Sequence, residues 1–90
     1  MSITNVHITS DFTKAFNNLP KNIQKLAERK DISFRNNSYQ TSLRTHALRG
    51  DLSGYYSYSV NFHYRVLFKF LDHHTAIYYD IGTHEIYRQG

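Results

Sequence analysis

Two runs of strand-forming residues, Tyr64 to Leu71 and Thr75 to Ile81, stand on either side of only Asp72-His73-His74. No other feature restricts the fold as much, because a polar link that short turns the first run back onto the second as an antiparallel pair. Just upstream, Tyr56, Tyr58, Val60 and Phe62 alternate with Ser57, Ser59 and Asn61. That is the period of a strand with its aromatic side turned one way and its polar side the other. Gly82 closes the last run, so the C-terminal half reads as a three-stranded antiparallel meander.

The N-terminal half has a different rhythm. Ile3 to Thr9 alternates Ile3, Asn5 and His7 with Thr4, Val6 and Ile8, which suits a short strand. Asp11 is placed to cap a helix in which Phe12, Ala15, Phe16 and Leu19 fall on one face. Leu19-Pro20 ends that helix and starts another, giving a hairpin. The second helix turns Ile23, Leu26, Ala27 and Phe34 inward and carries Lys21, Lys25 and Arg29 in a row, read either as a solvated face or as contact with RNA or an acidic partner. Asn36-Asn37-Ser38 breaks it, and residues 39 to 54 form a polar loop whose one ordered feature is the run from Leu43 to Gly50. The expected fold is α+β in one domain, residues 1–90: an N-terminal strand, a two-helix hairpin and the meander, with both helices on one face of a mostly antiparallel sheet and the other face free.

With eight Tyr, six Phe and no Trp, much of the core must be built from rings. A net charge of +4 favours a polyanionic partner, although a surplus this small also occurs in proteins that never touch nucleic acid. The absence of Cys excludes a disulfide framework and a thiolate zinc site, and it points towards the cytoplasm. The N-terminus has no basic region followed by an apolar run, and no segment approaches the roughly 20 apolar residues that span a bilayer. The chain is therefore expected to be cytoplasmic, free of membrane and complete as written.

Four motifs then point to a family. Leu43-Arg44-Thr45-His46-Ala47-Leu48-Arg49-Gly50, Leu52-Ser53-Gly54-Tyr55-Tyr56-Ser57, Tyr64-Arg65-Val66-Leu67-Phe68 and Asp80-Ile81-Gly82-Thr83-His84-Glu85-Ile86-Tyr87 together resemble the RelE/ParE superfamily of bacterial toxins. The hairpin with Leu19-Pro20-Lys21 at its turn is similar too. The resemblance implies the toxin of a type II toxin–antitoxin module, held in a hetero-oligomer by a cognate antitoxin. A loop histidine, a strand arginine and Gly-Thr-His with a Tyr close behind look more like the RelE and YafQ branch, whose members cleave mRNA in the ribosomal A site. The alternative is the ParE branch, which inhibits DNA gyrase without an acid–base set; a third reading is an inactive toxin that serves only as a regulator. Two departures stand out: relatives often have Lys where this chain has Ala47, and YafQ-like toxins have Asp where it has His63.

Cleaving RNA without a metal requires deprotonation of a 2′-hydroxyl, stabilisation of negative charge on the attacked phosphate and protonation of the departing 5′-oxygen. Imidazole suits both proton steps because its pKa, about 6.5, populates both forms near neutrality. The charge step needs a fixed cation. Arg65 fits it, being a planar fork of donors that stays charged, unless it forms a structural ion pair with Asp80 or Glu85. His84 is the candidate acid or base, or else a turn residue that caps the last strand. Tyr87 would stack on a base or assist proton transfer, or else anchor the tail. His46 would be the complementary acid or base, with His63 a further candidate; either is otherwise an exposed loop histidine. Arg44, Arg49 and Lys69 offer charge to an RNA backbone or simply solvate the surface. His73 and His74 are read as hairpin-turn residues and His7 as part of an exposed strand face. The spacing of His46, His63 and His84 matches no metal-ligand pattern, and neither metal nor cofactor is expected.

Overall fold

The computed structural model describes residues 2–88. The elements run β1 (Asn5–Ile8), α1 (Ser10–Asn17), α2 (Lys21–Asn36), β2 (His46–Ala47), β3 (Tyr56–Ser59), β4 (Arg65–Asp72) and β5 (Thr75–Gly82), with short 3₁₀ turns at Thr41–Leu43, Gly50–Leu52 and His84–Arg88. They form one five-stranded sheet in the order β1-β5-β4-β3-β2, in which β1 runs parallel to β5 and the other pairs are antiparallel. The α+β architecture, the hairpin and the meander follow the sequence pattern. The sheet has one strand more than expected: β2 lies inside the polar loop, and two residues are too few to show a period of their own.

The helix start also differs from expectation. Thr9, not Asp11, caps α1: its Oγ1 accepts the Phe12 amide at 3.1 Å and is 3.1 Å from the Tyr78 carbonyl, to which it donates. A hydroxyl can do both where a carboxylate can only accept, so one side chain starts the helix and ties it to β5. Asp11 sits in the first turn, where its charge still favours the helix N-terminus. At the hairpin, Gln24 Nε2 donates to the carbonyls of Phe16 and Leu19, both at 3.1 Å, closing the open end of α1.

The core lies between the helices and one sheet face. Phe34 of α2 is fully buried, its ring centroid 4.8 Å from Tyr58, 4.9 Å from Phe68 and 5.8 Å from Tyr78. Val66, Phe68, Ala76, Tyr78 and Ile81 supply the sheet side. Tyr78 and Ile81 can share a face because the β4–β5 register slips: Leu67 pairs with Asp80 but Phe68 with Tyr78, leaving Tyr79 as an extra residue. A second irregularity, between Phe70 and Asp72, leaves Leu71 unpaired and exposed. Phe62 also departs from strict alternation. β3 ends at Ser59, and Asn61 Oδ1 accepts the amides of His63 and Tyr64, both at 2.9 Å, so the chain turns and Phe62 is left 79% exposed.

One polar chain crosses this core. The Tyr58 hydroxyl donates to the Tyr78 hydroxyl at 3.0 Å, which donates to Asp31 Oδ1 at 2.7 Å, and Asp31 Oδ2 accepts from Arg35 Nε at 3.0 Å. Burial pushes both phenols well above their ordinary 10.0, so both remain donors at neutral pH. Tyr78→Phe strands the Tyr58 hydroxyl and removes a donor from Asp31, whereas Tyr58→Phe strands no donor. Urea denaturation should show Tyr78→Phe losing about 1–3 kcal/mol and Tyr58→Phe losing less; equal losses would mean the two hydroxyls do not act in series.

Candidate active site

The face of the sheet away from the helices carries the polar residues of the alternating pattern. Reading across it, His46, Ser57, Leu67 and Asp80 lie in register on four successive strands. The next row along places Arg65 between Ser59 and Gly82. The centre of this face is not free, as had been expected. After Gly82 the chain folds back over the sheet, the Tyr87 hydroxyl lies 2.8 Å from Ser57 Oγ, and Ser57, Leu67, Asp80 and Ile86 are all buried. Gly82 sits under this turn; a Cβ there would lie 3.0 Å from Ile86 Cγ2, so the Ile86 side chain would have to give way.

His46 is exposed at the sheet edge, and its Nδ1 lies 2.8 Å from the Arg44 carbonyl. A carbonyl oxygen can only accept, so Nδ1 carries the proton and the neutral ring keeps its lone pair on Nε2. Arg44 itself adopts the left-handed conformation, with φ of 52°, which is uncommon outside glycine and shapes the turn into β2. Thr45 Oγ1 donates to the Ser38 carbonyl and anchors this loop to the end of α2.

Arg65 is half-buried and donates to Ser59 Oγ. Among the described residues it forms no ion pair with Asp80 or Glu85; the one ion pair found there joins Arg35 to Asp31. From the spacing of strands and residues in a sheet, His46 and Arg65 have Cα atoms about 12 Å apart, on either side of the covered centre. His84 is exposed at the start of the C-terminal turn, and its ring centroid lies 5.9 Å from that of Tyr87, edge-on. His46, Arg65, His84 and Tyr87 therefore share one side of the sheet.

The remaining candidates fall at several places around that group. His63 is exposed in the turn before β4, its ring set against Phe62 at 5.1 Å. Lys69 is near the middle of β4, with Nζ 4.4 Å from the Tyr55 ring centroid and 5.9 Å from that of Tyr79, a cation–π arrangement. Arg49 is exposed at the head of the Gly50–Leu52 turn. Arg44 lines a cleft with Arg65, as do Lys30, Ser42, Ser59 and Phe62. Ser57 and Ser59 were not singled out in the sequence, although their place opposite the tyrosines marks the face they occupy. Nothing in the sequence marks Lys30. Among the described residues, no three His, Asp or Glu side chains are grouped to hold a metal ion, and no helix is long and apolar enough to cross a membrane.

No protein-family model matches this chain, and no curated protein matches it. Solved structures do. The toxin–antitoxin complex RelBE2 from Mycobacterium tuberculosis contains a chain that superposes with a TM-score of 0.74 at 20% identity, over 88% of this chain and 95% of that one. This chain has the RelE-like toxin fold. YafQ from E. coli shares that fold at a TM-score of 0.75 and 17% identity, over 94% of this chain and 97% of its own. YoeB from Staphylococcus aureus, solved as a dimer, gives 0.70 and 18%, over 89% and 95%.

Within the RelE-like fold, the Arg44 carbonyl makes a specific demand on His46. Long-range proton–nitrogen NMR of the imidazoles should find neutral His46 in the Nδ1–H form. An Nε2–H form in solution would remove the basis for treating Nε2 as a proton acceptor.

Proposed function

We propose that this chain is the toxin of a type II toxin–antitoxin pair and that it cleaves mRNA in the ribosomal A site as a metal-independent endoribonuclease. The observation that carries the reading is Arg65, a half-buried strand arginine with no carboxylate paired to it among the described residues, on the same side of the sheet as two exposed imidazoles. In this reading His46 Nε2 takes the proton from the 2′-hydroxyl, and the resulting oxygen attacks the adjoining phosphorus. Arg65 holds the phosphate oxygens as negative charge builds on them. Protonated His84 gives its proton to the departing 5′-oxygen, leaving a 2′,3′-cyclic phosphate and a 5′-hydroxyl. Tyr87, held at Ser57, presents its ring beside His84 as a surface for a base. Arg44, Arg49, Lys69 and the exposed row Lys21, Lys25 and Arg29 supply charge for the RNA backbones of message and ribosome.

Primer extension on a defined mRNA in a purified translation system tests this directly. The wild-type chain should cut only when ribosomes are present, and His84→Ala or Arg65→Ala should slow cutting by about 10²- to 10⁴-fold while the protein remains folded. A toxic wild-type chain that cuts nothing and instead blocks DNA replication would replace this reading with a gyrase-directed one.

An antitoxin is the second part of the proposal. It is supported by the neighbours solved as toxin–antitoxin complexes and by an apolar groove of about 430 Å³ between α1, α2 and the sheet. Ile8 and Ile32 line this groove while 52% and 61% exposed, a surface that a lone chain leaves wet. An apolar antitoxin segment would cover them. Ile32→Lys should leave the fold intact and weaken co-purification of the co-expressed antitoxin by at least tenfold; unchanged co-purification would place the antitoxin elsewhere.

A further inference from the structure

The cleft at the foot of β3 and β4 has a composition that the acid–base chemistry does not use. It has a volume of about 210 Å³ and draws cations from three separate elements: Lys30 from α2, Arg44 from the turn before β2 and Arg65 from β4. Ser42 and Ser59 also line it, and among the described residues no Asp or Glu does. An anion entering the cleft would meet cations from three elements, each adding to its attraction. At its rim stands Phe62, 79% exposed although its neighbours Val60 and Val66 are each 1% exposed. Asn61 fixes the turn through two backbone amides, and His63 packs edge-on against the ring at 5.1 Å.

We propose that this cleft is a second nucleotide subsite on single-stranded RNA. Lys30 and Arg44 hold the backbone phosphate next to the one at Arg65, and Phe62 is the platform on which the adjoining base stacks. Arg65 is the shared wall between the two sites, so a strand that crosses the sheet face runs past it into the cleft. Every base presents a π-face, so a stack on Phe62 positions the strand with little regard to sequence. A duplex has no free base to place on the ring, so the subsite selects single strands. The inference rests on the RNA-directed reading above and adds Lys30 and Phe62 to the surface that binds the strand.

The chain contains no tryptophan, so Phe62→Trp installs a single indole at an exposed position. The probe is a short 2′-O-methylated single-stranded oligoribonucleotide, which lacks the hydroxyl that the proposed cleavage needs. Its addition should quench the indole saturably. Lys30→Ala or Arg44→Ala in the same background should weaken binding at least fivefold and flatten its salt dependence. On the otherwise wild-type chain, Phe62→Leu should weaken binding of the same oligonucleotide, read by anisotropy, by about 5- to 150-fold. An abasic oligonucleotide should bind wild type and Phe62→Leu alike. The subsite is overturned by an oligonucleotide that does not bind, by one that binds without quenching, or by quenching indifferent to Lys30 and Arg44. It is also overturned if the antitoxin, and not the oligonucleotide, quenches the indole. RNA cleavage by a chain that fails these tests removes the subsite alone, whereas saturable quenching by a chain that cuts no RNA removes the endonuclease and leaves the subsite.

Discussion

The extra residue at Tyr79 decides what each face of the sheet carries. Strict alternation along β5 from Ala76 and Tyr78 would send Asp80 into the aromatic core and Ile81 out of it. The slip in register against β4 turns Asp80 to the side of Leu67 and Ser57, and it lets Ile81 join Tyr78 under the helices. A carboxylate buried among rings is costly without partners, so this single irregularity keeps the core apolar while the opposite face stays polar. The Thr9 cap bonds the carbonyls on both sides of the slip, Tyr78 at 3.1 Å and Tyr79 at 3.2 Å, and so α1 begins where the sheet changes face. Helix placement and face assignment are one constraint.

Much of the architecture was legible because it rests on period and punctuation. Pro20 between two apolar stripes marks the hairpin, and Asp72-His73-His74 between two apolar runs marks the β4–β5 turn. The features that escaped are those set by a single residue out of step. Tyr79 and Leu71 are unpaired in strands that otherwise alternate, Phe62 continues an alternation that the backbone has already abandoned, and β2 is two residues long. Cap identity was missed for a related reason: Thr9 outcompetes Asp11 because its hydroxyl also has a carbonyl of β5 to reach, and that partner is 69 residues away in sequence.

The candidate site divides along the same line. Residue chemistry and family resemblance point to His46, His63, Arg65, His84 and Tyr87; the fold sets four of them on one side of the sheet and His63 in the turn before β4, against Phe62. What no pattern could supply is how the chain itself covers that side: Tyr87 reaches Ser57 from 30 residues away, and the Arg44 carbonyl meets His46 through a left-handed backbone. These contacts do not make the chemistry, but they restrict where each group can point, and orientation is a large part of what a catalytic surface contributes.

The polar chain from Tyr58 through Tyr78 to Asp31 has a mechanical meaning as well. A helix lying on a sheet is held against rolling about its own axis by the side chains it buries, and a directional hydrogen bond to the sheet adds to that restraint. Asp31, bonded at one oxygen to Tyr78 of the sheet and steadied at the other by Arg35 one turn along the same helix, supplies such a bond for α2. The next residue back, Lys30, leaves the helix about 100° around from Asp31 and lines the cleft by Arg65. A hydrogen bond at the edge of the core therefore bears on the placement of a charge at the surface.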